Sequence, residues 1–419
     1  MERFTGVIGI VLILSIAFLL SNNRKAINYR VVVSGLLIQL SFALFILKTS
    51  AGQAIFGWVG KKIEQLLLLA DKGGEFVFGP LINSNLLAGV FGNAGSFIFM
   101  FKIIPTIIFV AVLVSMAYHI GIMQIIISFF ARIVHFLMRV SGSEALSNVA
   151  SAFVGQVEAQ IMIKPYLHSM TMSELLASMS GSMACIAGGV MAVYIKMGVP
   201  APYLLAASIM AAPGALVISK IVWPETEESP TKGVLKLDVK KTHANLLDAI
   251  SHGASDGLKV SLNVIAMLIG FIALVALVDV ILAKIAWLIT LVGFSQIPLS
   301  LDYIFGNLFS LFAWAMGVPS ADTATVGSLM GTKLVINEFV AYSKLSPMIP
   351  AQSLSPKAIV IASFALCGFA NFSSIAIQVG GIGELAPSRR ADLARLGFKA
   401  LICGTLASYM SATLAGIMM

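Results

Sequence analysis

The sequence predicts an all-α integral membrane protein with eight transmembrane helices, two opposed re-entrant hairpins and interfacial amphipathic helices, arranged as an inverted repeat. Three observations lead there. Of 419 residues, 58% are hydrophobic and 11% charged, against about 25% charged in ordinary soluble domains; too few polar side chains exist to coat a water-facing surface. Apolar runs recur at the length that a hydrocarbon core of about 30 Å demands, about 20 residues of helix. Finally, single carboxylates sit inside two otherwise apolar segments, at matching places in two similar stretches of chain.

Taken in order, residues 4–20 (FTGVIGIVLILSIAFLL) lack a basic stretch before them and a small-residue cleavage pattern after them. They form a retained first span rather than a secretory signal. The other spans are 31–48, 99–117, 177–197, 201–222, 260–282, 358–378 and 399–418. Arg24, Lys25 and Arg30 follow the first span. Basic connectors stay in the cytoplasm, so the N-terminus lies outside. Counting forward puts the connectors 224–245 (PETEESPTKGVLKLDVKKTHAN) and 388–399 (SRRADLARLGFK) on the cytoplasmic side as well. The net charge of +8, from 27 Lys+Arg over 19 Asp+Glu, is therefore a signature of topology and not of nucleic-acid binding.

Residues 54–72 and 123–140 are amphipathic, with charge on one face, as in helices that lie in the interface. Segments 142–170 and about 303–345 are apolar but broken by Gly, Pro, Ser and acidic residues. Irregular backbone at membrane depth is tolerated only where protein surrounds it, so these are the re-entrant hairpins. The chain divides into N-terminal spans and interfacial helices (1–140), a first repeat (141–222), a linker with interfacial helix and scaffold span (223–302) and a second repeat (303–419). The first repeat carries Glu158 in its hairpin and Gly188-Gly189 interrupting the next span. The second carries Glu338 and an interruption at 371–374. Each ends in one uninterrupted span. Opposed hairpin and broken-helix units place the substrate of a secondary transporter near the midplane.

An ionised carboxylate in hydrocarbon costs a few kcal/mol or more. Glu158 and Glu338 must therefore face a cavity, a partner or an ion. Lys164 and Lys333 lie six and five residues away, off the three- and four-residue spacing of helical neighbours. The plainer reading is a hydrogen-bond network that closes each hairpin; two such residues in matching repeats favour a functional site. Carboxylates and the carboxamides of Gln156 and Gln160 suit a polyhydroxylated, uncharged solute. An anion would call for Arg or Lys instead, and unwound backbone offers carbonyls to a coupling cation.

Other patterns carry less. Cys185, Cys367 and Cys403 lie in apolar segments without metal-type spacing, as small core residues do. The five histidines (119, 135, 168, 243 and 252) are scattered, and no phosphate-binding loop for an ATP-driven pump occurs. Residues 253–257 (GASDG) fit G-x-S-x-G, but a nucleophile elbow needs a preceding strand. An intramembrane hydrolase using Ser255 with His252 is thus the different-class alternative, and an uncoupled channel is another.

FVGQVEAQIMIKP (153–165), NEFVAYS (337–343) and CGFANFSSIAI (367–377), with PETE (224–227) and GELAPSRR (383–390), strongly resemble the concentrative nucleoside transporter family in its bacterial form. The resemblance covers essentially the whole chain. It implies a homotrimer in the cell inner membrane that imports nucleosides of the uridine, cytidine and adenosine type. A mobile transport domain would move past a rigid scaffold, elevator fashion, with no cofactor beyond a coupling H+ or Na+. Gln156, Val157 and Glu158 would then face the nucleobase and Val190 would pack on it. Glu338, Asn371 and Ser374 would hold the ribose, and Phe369 would line the cavity. Val157 stands where the family has a hydroxyl. The cation positions fall on Ser151, Val154, Cys185 and Ile186; a thiol is a poor ligand for a hard cation, which leans the reading to a proton taken by Glu158 or Glu338.

Overall fold

The computed structural model describes residues 2–92, 98–232, 243–291 and 298–419. Part of the predicted cytoplasmic connector, 233–242, lies outside the described residues. The helices are α1 (Glu2–Leu19), α2 (Tyr29–Lys48), α3 (Ser50–Phe78), α4 (Ser84–Phe91), α5 (Phe99–Ile120) and α6 (Ile122–Met138). They continue as α7 (Gly142–Ser151), α8 (Glu158–Ile161), α9 (Met172–Ala184), α10 (Gly188–Lys196), α11 (Ala201–Val222) and α12 (Leu246–Leu291). The last third holds α13 (Leu301–Ala315), α14 (Thr323–Val335), α15 (Glu338–Met348), α16 (Pro356–Leu366), α17 (Phe372–Leu385) and α18 (Arg390–Met418).

All eight expected spans are helical. Among the described residues, six stretches are long and apolar enough to cross a membrane: 29–48, 99–120, 172–196, 201–222, 246–291 and 387–418. The other two are α1, whose apolar part is 5–19, and the divided pair α16–α17. The protein is a multi-pass membrane protein. The amphipathic stretches fall in α3 and α6, where α6 buries Ile127, Ala131, Val134 and Met138 and exposes Ile125, Phe129 and Phe136.

The two repeats correspond element for element. An amphipathic helix (α6 or α13) leads into a hairpin (α7–α8 or α14–α15), then a broken helix (α9–α10 or α16–α17), then a continuous helix (α11 or α18). The two continuous helices pack on each other at the centre and are largely buried. Gln39 of α2 is fully buried there; its amide donates to the Met210 carbonyl (2.9 Å) and the Ser411 hydroxyl (3.1 Å). Around this core, α5 and α12 pair with each other. α12 exposes Leu274, Leu277, Val280 and Ile281, an apolar face suited to lipid.

Local chemistry fixes the hairpin ends. Thr171 and Glu174 form a reciprocal capping box at the start of α9, which satisfies two donors that a helix start leaves open. In the second repeat, Ser355 caps α16, and its own N–H (3.1 Å) and hydroxyl (2.6 Å) donate to Asp322 at the foot of α14. Arg389 donates to the carbonyls of Met170 (2.6 Å) and His168 (3.2 Å). The GELAPSRR motif thus ties the α17–α18 turn to the exit of the first hairpin.

Three boundaries differ from expectation. The segment 303–345 is not one hairpin: α13 is a separate helix that ends before Gly317 and packs along α14, and the hairpin proper is α14–α15. The first break occupies 185–187, ahead of Gly188-Gly189. The Gly188 N–H donates to the Phe153 carbonyl of the hairpin at 3.1 Å, so this glycine gives close approach at a helix start. The second break is 367–371, and Asn371 is the N-cap of α17, accepting from the Ser374 N–H at 2.9 Å. Residues 372–374 begin the helix; an Asn-x-x-Ser cap had looked like an interruption.

Candidate functional site

The two breaks cross. Gly368 has φ +134°, and a Cβ there would stand 2.5 Å from the Ala184 carbonyl oxygen, so only glycine lets the backbones meet. The Phe369 N–H donates to the Cys185 carbonyl at 3.2 Å. From α18, the Ser408 hydroxyl lies 3.1 Å from the Cys367 carbonyl and 3.5 Å from that of Ala184. Carbonyls freed by unwinding need such donors at membrane depth. Cys185 and Cys367 each open a break, are buried, and turn toward α11, where they meet Ser208.

Around the crossing lies a hydrogen-bonded string drawn from four elements. Gln156 of the first hairpin donates to the Ser374 hydroxyl of α17 at 3.5 Å. The N–H of Ser374 donates to the Asn371 side chain, whose amide donates to Glu338 Oε2 of the second hairpin at 3.0 Å. Glu338 Oε1 accepts from the Tyr194 hydroxyl of α10 at 3.3 Å. Glu338 and Asn371 are 6% and 3% exposed, so the carboxylate is buried but partnered. Aromatic rings enclose it: Tyr194 stacks on Tyr342 at 4.2 Å, and Phe339 meets Tyr194 and Phe99 edge-on, each at 5.4 Å.

The first hairpin is held more loosely. Gln378, fully buried on α17, donates to Gln156 at 3.4 Å and to the Met179 carbonyl at 3.2 Å. Contacts of 3.4–3.5 Å sit at the outer edge of hydrogen bonding, so Gln156 can exchange them for a ligand. Val157 packs over Gly381, where a Cβ would lie 2.6 Å from its methyl; it faces α17. Glu158 differs from Glu338 in its surroundings. Its side chain is exposed and folds back over Gly155, so its carboxylate keeps solvent access where Glu338 has protein partners. Val190 and Phe369 are half-buried beside the crossing.

Of the four cation positions, Ser151 lies in a chain of hydroxyls. It donates to the Ser147 carbonyl (2.7 Å) and meets Ser182 (2.9 Å). Gln160 donates to Ser182 at 2.7 Å and accepts from Ser178 at 2.6 Å. Val154, Cys185 and Ile186 are buried, but the Cys185 thiol points to the Ser208 carbonyl, 4.0 Å away, and not into this chain.

Sequence reasoning missed Tyr194 and Gln378. The signal was present for Gln378, a carboxamide in an apolar helix, by the same logic that selected Glu158. Lys333 is too far along the chain from Glu338 to meet it as a helical neighbour. Its buried ammonium instead donates across the hairpin to the Ala365 carbonyl at 2.9 Å, in the last turn of α16, where positive charge complements the helix dipole. Ser255 lies exposed in the third turn of α12; with helix on both sides there is no strand-to-helix elbow, and the hydrolase alternative falls.

Comparison with known proteins agrees along the chain. Residues 203–416 match the family model "Na+ dependent nucleoside transporter C-terminus", 8–81 its N-terminal counterpart, and 100–201 a model described as nucleoside recognition. An uncharacterized transporter of Haemophilus influenzae is 43% identical over 100% of this chain and 98% of its own. The nucleoside permease NupC of Helicobacter pylori is 37% identical over 98% of this chain and 97% of its own. The solved structure of CNTnw in an inward-facing, substrate-bound state superposes with a TM-score of 0.92 at 40% identity, covering 100% of this chain and 98% of that one.

Proposed function

The chain belongs to the concentrative, Na+ dependent nucleoside transporter family, and from that premise we propose that it is a symporter importing nucleosides across the inner membrane. It is a transporter and not an enzyme. The string Gln156–Ser374–Asn371–Glu338–Tyr194 carries the reading, because it draws donors and acceptors from both hairpins and both broken helices to one place. Glu338 and Asn371 present a fixed acceptor–donor pair to ribose hydroxyls. Gln156, loosely held, supplies an amide to a base edge, and Val157, Val190 and Phe369 supply apolar contact. Glu158, with its solvent access, guards the entry. The residues lie where opposed repeats meet, the place at which alternating access needs a fixed site, with α5 and α12 as the scaffold of an elevator-type motion in a homotrimer.

The coupling ion in this reading is the proton. Supporting it, the Ser151 hydroxyl is engaged with Ser147 and Ser182, and the Cys185 thiol faces α11, which leaves a hard cation few committed oxygen ligands. Glu338 is the carboxylate that would carry the proton. The test is uptake of labelled uridine into proteoliposomes with sodium and proton gradients imposed separately. Accumulation should follow the proton gradient and vanish in Glu338→Gln. Accumulation driven by sodium alone would overturn the coupling, and full accumulation by Glu338→Gln would overturn the site.

A further inference from the structure

Three of the chain's five histidines converge at the cytoplasmic end of the α5–α12 pair, away from the breaks. His243 precedes α12, His252 lies on its second turn, and His119 ends α5. One ligand atom each from His243, Asp248 and His252 come within 4.8 Å of one another. His252 Nε2 is 3.4 Å from Asp248 Oδ1, and His243 Nδ1 is 3.9 Å from Asp248 Oδ2. The ring of His119 stands 6.5 Å from that of His243, and its Nδ1 is buried with no hydrogen-bond partner.

Hydrogen bonding favours one tautomer of His243. The Ser115 hydroxyl donates its one proton to the Ala249 carbonyl at 2.8 Å. Its 3.5 Å contact with His243 Nε2 must therefore be donated by the ring. In a neutral ring that leaves the lone pair on Nδ1, aimed toward the Asp248 carboxylate. A lone pair and a carboxylate facing each other repel unless a cation lies between them. A metal-bound imidazole is typically oriented in this way, by a hydrogen bond from its other nitrogen. Asp248 is itself held, accepting from the Ala244 N–H at 2.9 Å.

We propose that His243, Asp248 and His252 form a binding site for one divalent transition-metal ion of the zinc type at the cytoplasmic face. Two imidazoles and a carboxylate are the donor set that zinc takes, with a fourth position open to water, and the partly buried His119 stands behind it. The ligands straddle the end of the connector and the start of α12, while Ser115 anchors them to α5. The ion would therefore pin the connector to the α5–α12 pair.

The test uses the full chain in detergent, stripped with chelator and titrated with cobalt(II), whose visible absorption reports coordination. One equivalent per chain should bind, be displaced by zinc, and raise the thermal unfolding temperature, since a ligand that binds only the folded state stabilises it. His252→Ala, at an exposed position where folding is not at stake, should weaken binding by more than about tenfold, and His243→Ala should do the same. His168→Ala, at the hairpin exit, should not. Absence of cobalt absorption, or binding that persists unchanged in the His243→Ala/His252→Ala double variant, would overturn the site.

Discussion

Asn371 does two jobs with one side chain. Its Oδ1 caps α17 by accepting from the Ser374 N–H, and its amide donates to Glu338. The two functions separate by substitution. Asn371→Ala should lose both, costing about 1 kcal/mol from the cap and abolishing uridine binding. Asn371→Asp keeps the cap but sets a second carboxylate against a buried one, so the thermal stability should fall less than binding does. Full uridine binding by Asn371→Asp would show that the side chain matters only as a cap. Tyr194→Phe removes one neutral donor at 3.3 Å, about 1 kcal/mol, and should weaken binding roughly fivefold. At this scale the sequence disclosed the acids and amides, because polar groups in apolar context are conspicuous. It could not disclose Tyr194, whose hydroxyl becomes polar machinery only once α10 meets the second hairpin. Nor could it tell that Glu158 is exposed while Glu338 is buried, since both stand in equally apolar strings.

Among the elements, the breaks are where local sequence and tertiary contact must agree. Gly368→Ala would force a side chain into φ +134° and against the Ala184 carbonyl; the backbone strain alone is about 1–3 kcal/mol. Gly381→Ala would push on Val157, whereas a Cβ at Gly380 meets nothing within 4 Å. Thermal unfolding in detergent should therefore rank Gly368→Ala well below wild type and Gly380→Ala, inside α17, at or above it, since alanine is the better helix former. Gly381→Ala should stay near native stability but bind uridine more weakly, because it displaces the tip that presents Gln156. A silent Gly381→Ala would mean that the tip does not depend on this contact. Span positions were legible because hydrophobic length is read directly. The breaks were misplaced by a few residues because glycine and asparagine mark a helix start as readily as a helix end. The division between α13 and the hairpin proper was hidden because apolar composition continues through both.

Across the whole molecule, the elevator reading requires that some contacts persist and others break. The α5–α12 pair meets the repeats through α10 and α3 among others, and α10 is tied to α3 by the Lys196–Asp71 ion pair at 2.6 Å. Both side chains are partly buried, at 13% and 20% exposure. If α9–α10 travels with the transport domain while α3 belongs to the scaffold, this pair must part in each cycle. If the two move together, it never does. The native cysteines are all buried, which leaves an introduced pair free to react alone. A Lys196→Cys/Asp71→Cys variant joined by a short thiol-reactive cross-linker should lose uridine accumulation and regain it when a cleavable linker is reduced. The same double variant left without cross-linker should keep it, because both charges are removed together and neither is left buried without its partner. Full transport by the cross-linked protein would place α3 in the moving body, and the boundary of the scaffold would then have to be drawn at α5 and α12 alone.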